Sequence, residues 1–392
     1  MKEKPTILIV HNHYQLAGGE DTVVSNEKRM LEEHGHKVVL YTRSNNEIKN
    51  MNIFQKLLLP FMTIYNPRTS KDIKRIIKEE DIDIVHVHNT LSLISPSVYY
   101  ASLKMHKPVV QTIHNFRLLC PAATFYRDNH ICEDCVTKGL RCSLKHKCYR
   151  NSFIQTLICV INTKIHRATG IYSKINYICL TEFNKNKLLQ LKQIKPEQIF
   201  VKPNFTYVCN DNVEKINEDY YVYVGRLEEN KGIKVLLEAW DDLPYKLIMC
   251  GTGTLEEWCK QYISKHKLNI EMKGFLLVDQ VKEIIVSSKA LVMPSLLYEG
   301  FPMTILEAFS LNTPVICSNN GNTGDIVIES KTGFKFEVGN SKDLRNVISK
   351  FELLDDKKIR EIHKNIKEEY LNMYSIESND KILEDIYIYI LN

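Results

Sequence analysis

The sequence predicts an α/β protein of two domains, each built on a parallel β-sheet covered by helices. The chain has 392 residues, of which 44% are apolar and 25% are charged, which is enough for two separate soluble cores. A strand–helix–strand pattern opens the chain over residues 7–41, and a pattern of the same kind starts again at Tyr221. Because strands joined through helices run parallel, the two repeats indicate two parallel sheets.

The first domain is predicted to span residues 1–204 and the second domain residues 205–375. A polar segment at 210–219 has the composition of a linker between them. The remaining segment, 376–392, ends in ILEDIYIYIL, whose apolar residues have helical spacing. We therefore expect a separate C-terminal helix after the second domain.

Charge is shared unevenly between the two predicted domains. Residues 1–204 carry 30 basic and 17 acidic side chains, whereas residues 205–392 carry 22 basic and 30 acidic ones, within a net charge of +5. The basic surplus suggests that the first domain meets an anionic partner, such as lipid phosphates, a membrane surface or nucleic acid. The N-terminus, MKEKPTILIV, lacks the apolar core of a signal peptide, and no apolar run reaches about eighteen residues. We expect a cytoplasmic protein without a spanning helix.

Gly18 and Gly19 lie where the first predicted strand, residues 7–10, gives way to a helix. Glycines at such a turn let the backbone approach a phosphate closely, but a tight turn requires them equally. The two glycines are therefore a candidate phosphate contact.

Five histidines fall near the C-terminal ends of predicted strands: His11, His13, His86, His88 and His114. Ligands of open α/β sheets bind at these ends. The sequence leaves two alternatives, a metal cluster or single histidines that form hydrogen bonds in a binding cleft. Single histidines are favoured because no carboxylate accompanies them at metal-ligand spacing.

Residues 51–65, MNIFQKLLLPFMTIY, are almost wholly apolar and precede a basic stretch around Arg68 and Arg75. This combination is typical of a segment that lies at a lipid surface. A core helix interrupted at Pro60 explains the pattern nearly as well.

The segment 120–148 contains five of the eleven cysteines, namely Cys120, Cys132, Cys135, Cys142 and Cys148. Disulfides are rare in cytosolic proteins, so one C-x2-C with further cysteines nearby suggests zinc. Cys120, Cys132, Cys135 and Cys148 are the candidates for a structural zinc site, and a loop of reduced thiols is the alternative. We expect this segment to be an insert in the first domain.

Arg226 and Lys231 lie five residues apart in the turn after the strand that starts at Tyr221. Two cations at such a turn can bracket a diphosphate, and exposed loop charges are the alternative. Gly251 and Gly253 follow the next strand, but the third glycine of G-x-G-x-x-G is absent and no P-loop motif occurs. A dehydrogenase or an NTPase therefore finds little support.

The stretch 294–307, PSLLYEGFPMTILE, follows a strand pattern at 290–293 and contains two carboxylates, Glu299 and Glu307. Pro302 is predicted to be the first residue of a helix, since a proline lacks the N–H that would be unpaired there. A helix N-terminus offers free N–H groups and a positive dipole end, which together bind anions. One carboxylate can then contact a sugar and the other a ribose. The alternative is that both only stabilise the helix dipole.

The two glutamates and their spacing resemble the E-x7-E signature of the retaining, two-domain glycosyltransferases of the GT-B fold. These enzymes belong to the large bacterial glycosyltransferase family 4 type, which builds polysaccharides and glycolipids. The resemblance covers nearly the whole chain and implies two Rossmann-like domains that face a central cleft. It also implies that the helix 376–392 crosses back to the first domain. The cysteine-containing insert is similar to one in relatives of the capsule and exopolysaccharide branch.

The resemblance implies a role for each candidate residue. Glu307 would bind the ribose of the sugar nucleotide, and Arg226 and Lys231 the donor diphosphate. Glu299 and His114 would contact the donor sugar. Further donor contacts would come from the backbone at Gly18, Gly19, Gly251, Gly253, Gly300, Phe301 and Pro302. The catalytic set would be His114, Arg226, Lys231 and Glu299.

No cofactor is expected for catalysis, because Arg226, Lys231 and the helix N-terminus supply positive charge. The run Asp81-Ile82-Asp83 spells the D-x-D motif of metal-dependent glycosyltransferases. It precedes its predicted strand, however, and therefore lies at the wrong edge of the sheet.

The sequence thus predicts a cytoplasmic glycosyltransferase that moves a hexose-type sugar from a UDP- or GDP-sugar donor, with retention, to a glycan or polyprenyl-diphosphate-linked acceptor. Peripheral contact with the inner face of the cytoplasmic membrane is part of this prediction. Two alternatives remain, a sugar-nucleotide epimerase or hydrolase on the same fold and a basic, zinc-containing nucleic-acid-binding protein. The lack of aromatic residues among the basic stretches argues against nucleic acid as the partner.

Overall fold

The computed structural model describes residues 4–15, 18–207 and 219–392. Nearly all of the predicted linker, 210–218, lies outside the described residues. The chain divides into two compact units. The first comprises Met1–Phe125, Cys132–Asn204 and Ile376–Asn392, and the second comprises Tyr126–Ile131 and Phe205–Ser375. The short hairpin Tyr126–Ile131, from within the segment 120–148, is thus grouped with the second unit, although the whole insert was predicted to belong to the first.

Each unit contains one six-stranded parallel sheet, and this confirms the predicted α/β fold with two parallel sheets. The strand order is β2-β1-β3-β4-β7-β8 in the first sheet and β11-β10-β9-β12-β13-β14 in the second, and β5 and β6 form the hairpin. The strands are β1 (Ile7–His13), β2 (Val38–Ser44), β3 (Ile84–Asn89), β4 (Val109–Ile113), β5 (Tyr126–Arg127), β6 (His130–Ile131), β7 (Asn176–Cys179), β8 (Ile199–Val201), β9 (Tyr220–Val224), β10 (Lys246–Cys250), β11 (Ile270–Gly274), β12 (Ala290–Met293), β13 (Val315–Ser318) and β14 (Gly333–Phe336).

Helices cover both sheets, which explains why the central strands are continuous apolar runs rather than alternating ones. In β1, for example, the four residues from Ile7 to Val10 are completely buried. The helices are α1 (Gly19–Glu33), α2 (Ile53–Ile64), α3 (Pro67–Glu79), α4 (Ser97–Lys104), α5 (Asp134–Thr137), α6 (Arg141–Lys145), α7 (Phe153–Ala168), α8 (Glu182–Leu188), α9 (Ile233–Trp240), α10 (Glu256–His266), α11 (Val278–Ser287), α12 (Met303–Ser310), α13 (Gly321–Ile326), α14 (Ser341–Glu352), α15 (Asp356–Glu369) and α16 (Ile376–Leu391).

Helix α2 continues through Pro60, and most of its apolar side chains face solvent. Ile53, Phe54, Leu57 and Phe61 are between 67% and 80% exposed. The alternative of an interrupted core helix is therefore wrong. The physical reason is that α2 packs against α7, while Thr63 is the residue of α2 that becomes buried and most of the apolar side chains stay exposed.

No described helix combines the length and the apolar character needed to cross a bilayer.

Candidate functional site

In the second unit, the loop 294–302 leads from the buried strand β12 into α12. Pro302 is the N-cap residue, with φ −76° and ψ 102°, and the helix begins at Met303. The prediction of Pro302 as the first helical residue is wrong by one position, because its ψ lies in the extended range. Leu306 and Phe309 are completely buried and anchor the helix, so its first turn directs N–H groups toward the loop.

A salt bridge joins Lys231 to Glu299 across two loops of this unit. The Lys231 Nζ lies 2.7 Å from Oε1 and 2.9 Å from Oε2 of Glu299, and the Ser295 hydroxyl donates to the same carboxylate. The loops meet because they leave the C-terminal ends of β9 and β12, which are neighbours in the sheet. The two side chains are 18% and 11% exposed, so a ligand can still reach them. The sequence predicted a role for each residue but not their pairing.

Gly232 lets the two loops approach this closely. Its φ is +73°, and a Cβ at this position would lie 1.8 Å from the carbonyl oxygen of Pro294. Any side chain would therefore displace the loop that carries Glu299.

Gly251 has a similar packing role beside Arg226. Its φ is +136°, and an added Cβ would lie 1.9 Å from the carbonyl oxygen of Gly225. An added Cβ at Gly253 would lie 2.4 Å from the carbonyl oxygen of Leu227. Both glycines thus position the loop of Arg226, and their contact with a donor stays a prediction.

Arg226 itself is exposed, and its guanidinium forms no salt bridge within the part of the chain that the structure describes. Its backbone is held by the Tyr223 hydroxyl, which donates to the Arg226 carbonyl at 2.8 Å. A fixed backbone with a free guanidinium suits an anionic ligand.

Glu307 lies in α12 and is partly buried. Burial raises the pKa of this carboxyl, and Lys282 opposes the rise. No hydrogen bond to the carboxylate comes from the described residues. Glu307 therefore differs from Glu299, because its acceptor oxygens are free for a ligand.

Asn322 is a site residue that sequence reasoning missed. It is completely buried in α13, and its side-chain amide donates to the carbonyl oxygens of Glu299 at 2.6 Å and Gly300 at 2.5 Å. The amide holds the loop 294–302 from behind and so sets the position of the Glu299 side chain. Its local sequence, NNGNTG, gives only a turn signal, which could not have identified it.

In the first unit, His114 follows β4 directly, and Gly18 is the N-cap residue of α1. The Gly18 N–H donates to the Asp21 carboxylate at 3.0 Å. The Nε2 of His114 lies 2.9 Å from the Nδ1 of His88. His114 is thus held by His88, and Gly18 and Gly19 lie at the start of α1. The contact of the two glycines with a phosphate stays a prediction.

Two carboxylates of α1 accompany the histidines, so the expectation that none would do so is wrong. Asp21 Oδ1 lies 2.9 Å from His11 Nε2 and 2.7 Å from His13 Nδ1. Glu27 Oε1 lies 3.0 Å from His86 Nδ1 and 3.2 Å from His88 Nε2. Asp21 lies only 8 and 10 residues from its histidines, but no metal-ligand spacing relates them. Glu27 is brought to His86 and His88 by the packing of α1 against the first sheet.

Each group places three ligand atoms within 4.8 Å of one another, close enough for one metal ion. In the Glu27 group, however, the ammonium of Lys202 lies 3.3 Å from Oε2 and already supplies a cation. In the Asp21 group both histidines contact the same carboxylate oxygen, and burial lowers the pKa of His11 to about 4. In both groups the carboxylate therefore already has a partner, a hydrogen-bonded histidine for Asp21 and the Lys202 ammonium for Glu27. His11 Nδ1 and His88 Nε2 are buried without a hydrogen-bond partner among the described residues.

No cysteine of the described ranges belongs to a group of three or more potential ligands within 4.8 Å. None of the five cysteines of 120–148 forms a disulfide. Burial, with Cys120 and Cys148 nearby, raises the pKa of Cys135 to about 12. As placed, the sulfurs do not form a zinc site, and zinc remains a prediction.

The segment Asp81-Ile82-Asp83 precedes β3, as expected, and the Asp83 carboxylate accepts the Thr6 N–H at 2.8 Å. It therefore has a structural partner at the N-terminal edge of the sheet.

Two family models match the chain, Glycosyltransferase Family 4 over residues 17–134 and Glycosyl transferases group 1 over residues 210–369. Each match falls on one of the two parallel sheets. Together with the fold and the loop of Glu299 and Glu307, they identify the chain as a glycosyltransferase of the GT-B class.

Two proteins are similar in sequence over most of this chain. An uncharacterized glycosyltransferase of Methanocaldococcus jannaschii is 25% identical over 361 residues, which is 90% of each chain. A UDP-Gal:alpha-D-GlcNAc-diphosphoundecaprenol alpha-1,3-galactosyltransferase of Escherichia coli is 25% identical over 336 residues, 80% of this chain and 77% of that one.

Solved structures agree in fold. A glycosyltransferase from Rickettsia africae superposes with a TM-score of 0.73 at 20% identity, over 100% of this chain and 99% of that one. Anabaena HepE in complex with UDP superposes with a TM-score of 0.67 at 17% identity, over 97% and 99%.

Proposed function

We propose that the protein transfers a hexose-type sugar from a UDP- or GDP-sugar, with retention of the anomeric configuration, to a glycan or polyprenyl-diphosphate-linked acceptor in cell-surface polysaccharide synthesis. The observation that carries the proposal is the Lys231–Glu299 pair, which the loop 294–302 holds close to the N-terminus of α12. A cation, a carboxylate and a helix N-terminus at one sheet edge match a ligand that joins a phosphate to a sugar.

The leaving diphosphate needs positive charge as its bond to the sugar breaks. Lys231, the free guanidinium of Arg226 and the dipole of α12 supply it. Lys231 has three donors, so it can reach a phosphate oxygen while it keeps one bond to Glu299. Exchangeable divalent ions are therefore not required in this proposal.

Glu307 is the proposed ribose ligand. Its partly buried carboxylate accepts no hydrogen bond from the described residues, and vicinal hydroxyls would each donate one. Because the buried anion lacks partners, these bonds would lower its raised pKa and favour nucleotide binding.

Retention is proposed because Glu299 and Glu307 resemble the signature of retaining glycosyltransferases. A single displacement on one face of the sugar is proposed instead of a covalent intermediate, because Glu299 is poorly suited to act as a nucleophile. Lys231 and Ser295 both contact its carboxylate, which reduces its reactivity toward carbon. Glu299 would instead accept hydrogen bonds from the donor sugar. The departing phosphate would then take the proton of the acceptor hydroxyl on the same face of the sugar.

Two relatives support the substrate classes. The Escherichia coli enzyme is named for a UDP-sugar donor and a diphosphoundecaprenol acceptor, and Anabaena HepE was solved with UDP. A lipid-linked acceptor would also explain the exposed apolar surface of α2 and α7.

This surface, here named the α2–α7 surface, is proposed to lie on the inner face of an anionic membrane. Its exposed apolar side chains are Ile53, Phe54, Leu57, Leu58 and Phe61 on α2 and Phe153, Ile154, Ile161 and Ile165 on α7. A cavity of about 330 Å³ lies beside this surface. Its lining includes the apolar residues Leu59, Pro60 and Ile158 and the basic residues Lys56 and Arg150. Apolar side chains with nearby cations match the layering of an anionic lipid headgroup over acyl chains.

Vesicle sedimentation tests this placement. Wild-type protein should bind vesicles that contain phosphatidylglycerol more strongly than pure phosphatidylcholine vesicles. Phe54→Ser/Phe61→Ser should lose binding, whereas Phe275→Ser, at a residue 76% exposed in the second unit, should not. Equal binding by all three proteins would overturn the proposal.

Structural zinc is kept as a separate proposal for the cysteines of 120–148. Purified protein should then contain about one zinc per chain and protect four thiols from titration. Metal-free protein whose thiols all titrate in the native state would contradict it.

The reaction itself is tested by incubating sugar nucleotides with lipid-diphosphate acceptors and following the anomeric signal by NMR. We expect acceptor-dependent donor turnover and a product with the anomeric configuration of the donor, also after removal of exchangeable Mg²⁺ and Mn²⁺. Donor turnover without an acceptor would favour a hydrolase or an epimerase. An inverted product, or strict dependence on added divalent ions, would refute the mechanism.

A further inference from the structure

Three side chains, Glu27, His88 and His114, connect the interior of the first unit to the end of β4. The Oε1 of Glu27 lies 3.2 Å from Nε2 of His88, and the Nδ1 of His88 lies 2.9 Å from Nε2 of His114. Glu27 and His88 are buried, while His114 is only partly so. The remaining nitrogen of His114, Nδ1, has no hydrogen-bond partner among the described residues.

Glu27 is an anion in this setting. Burial alone would raise its pKa, but His86, Lys202 and His88 outweigh burial and hold the pKa of Glu27 well below its usual range. An ionised carboxylate only accepts hydrogen bonds. The Nε2 of His88 lies 3.2 Å away in an electrostatic contact outside hydrogen-bond geometry. A hydrogen on this nitrogen is attracted by the carboxylate, whereas a lone pair is repelled.

The charge of Glu27 is already balanced within the first unit. Lys202 already neutralises Glu27 at 3.3 Å, and both side chains are 1% exposed. A second cation at His88 would be buried without a counter-charge, which is costly. A neutral imidazole carries one N–H hydrogen, which in His88 is on Nε2. The Nδ1 of His88 therefore carries a lone pair and accepts a hydrogen bond.

The same reasoning reaches His114. The lone pair on His88 Nδ1 requires a donor at 2.9 Å, so Nε2 of His114 carries the hydrogen. Burial, followed by His88, His11 and His86, keeps the pKa of His114 well below its usual range, with only Glu27 opposing. His114 is therefore neutral, and its Nδ1 is also a lone pair.

We propose that Glu27, acting through His88, holds His114 in the tautomer with hydrogen on Nε2, so that Nδ1 is an obligatory hydrogen-bond acceptor. Glu27 and His88 are positioning residues and touch no substrate. The use of this acceptor, to receive a hydrogen bond from a hydroxyl of the donor sugar, rests on the proposed function. A sugar that lacks this hydroxyl could not donate the hydrogen bond to Nδ1 of His114.

The C-terminal helix α16 supports the chain of contacts. Its Asn379 side-chain oxygen lies 3.2 Å from Lys202 Nζ, and its Tyr387 hydroxyl lies 2.7 Å from His86 Nδ1. Tyr387 thus borders Glu27 through His86, yet it contacts neither His88 nor His114 among the described hydrogen bonds. Tyr387→Phe is therefore a matched control for changes at Glu27.

The tautomer can be measured directly by NMR of protein labelled with ¹⁵N in the histidine rings, with the His114 signals assigned by comparison with His114→Gln. We expect a protonated Nε2 and an unprotonated Nδ1 for His114 in the wild-type protein. A protonated Nδ1 would overturn the proposal, whatever the variants show.

Glu27→Gln removes the anion but keeps the shape, and an amide can face His88 with either its oxygen or its nitrogen. We expect His114 to become a mixture of both tautomers in this variant and to remain unchanged in Tyr387→Phe. An unchanged tautomer in a folded Glu27→Gln protein would overturn the proposal.

Transfer kinetics separate this inference from the proposed function. Glu27→Gln should lower kcat/KM for the sugar nucleotide roughly three- to tenfold, the effect of one hydrogen bond, without weakening the binding of free UDP or GDP. If the tautomer is as stated but His114→Gln leaves transfer unchanged, the assigned role of His114 in transfer fails and the tautomer inference stands.

Discussion

The two units each contain one lysine–glutamate pair close to the centre of their chemistry, and the pairs differ in accessibility. Lys231 and Glu299 are 18% and 11% exposed and 2.7 Å apart. Lys202 and Glu27 are 1% exposed each and 3.3 Å apart. The first pair can exchange its partners for a ligand, while the second has no access to one.

Accessibility decides what the same two residue types do. At the partly open site, a phosphate can compete with Glu299 for the ammonium of Lys231, so the pair can take part in ligand binding. In the interior, separation of the charges would leave each without solvent, so the pair is permanent. The buried pair acts on the histidines beside it instead.

The largest expected effect is on stability, from breaking the buried pair. Lys202→Met leaves Glu27 as a buried anion without its ammonium, and it should lower the free energy of unfolding by about 3–5 kcal/mol. Lys231→Met should lower it by a smaller amount, because Glu299 keeps some contact with solvent and a hydrogen bond from Ser295. Urea unfolding measures both. Equal losses would show that burial does not distinguish the pairs.

The accessible pair should dominate turnover. Lys231→Met should lower kcat about 10²–10³-fold, since the lysine faces the charge of the leaving diphosphate. Lys234→Met is the matched control, because Lys234 is a nearby, more exposed lysine that pairs with Glu229. Steady-state kinetics with a sugar nucleotide should leave the control near wild type. Similar rates for both variants would refute the assignment of Lys231.

The loop that presents Glu299 depends on Asn322. Asn322→Ser removes donors to two backbone carbonyls and should cost about 1–3 kcal/mol in stability, with an increased KM for the donor. Asn320→Ser removes a single bond of 3.2 Å to Leu296 and should have a smaller effect on both quantities. Thermal unfolding and kinetics of the two variants make the comparison. A larger effect at Asn320 would contradict this role.

The smallest effect concerns pH and Glu307. Burial raises the pKa of Glu307, so the carboxylate takes up a proton at higher pH than an ordinary glutamate does. Nucleotide affinity should therefore decrease several-fold as pH falls through this raised pKa, at a higher pH than an ordinary glutamate would require, as followed by calorimetry. Glu307→Gln should bind weakly with little dependence on pH. A nucleotide affinity of the wild-type protein that increases as pH falls would contradict the role of Glu307.

Part of the site could be predicted because its signals are local. Strand ends, glycine turns and the spacing of Glu299 and Glu307 are all readable within a few residues. One further signal was present but unused. Glu27 lies on the same helical face as Val23, Val24, Met30 and Leu31, and an acidic residue on an apolar face indicates a buried charge.

The rest could not be predicted because it depends on contacts between distant segments. Asn322 lies 23 residues from Glu299, and Asn379 lies 177 residues from Lys202. Neither contact corresponds to a periodic pattern or a motif in the sequence. The exposure of the apolar residues of α2 depends likewise on which helices pack against it, and α7, which does so, is distant in the sequence.

The sequence by itself determined two parallel α/β sheets and the order of their elements, because hydrophobic periodicity and turn residues act over short distances. It also determined the loop and helix of the two glutamates. Only the tertiary structure decided which lysine meets which glutamate and which carboxylate stays free. The physical reason is that ion pairs depend on distances of a few ångströms and on burial, and both are set by where separate loops and helices meet in the folded chain.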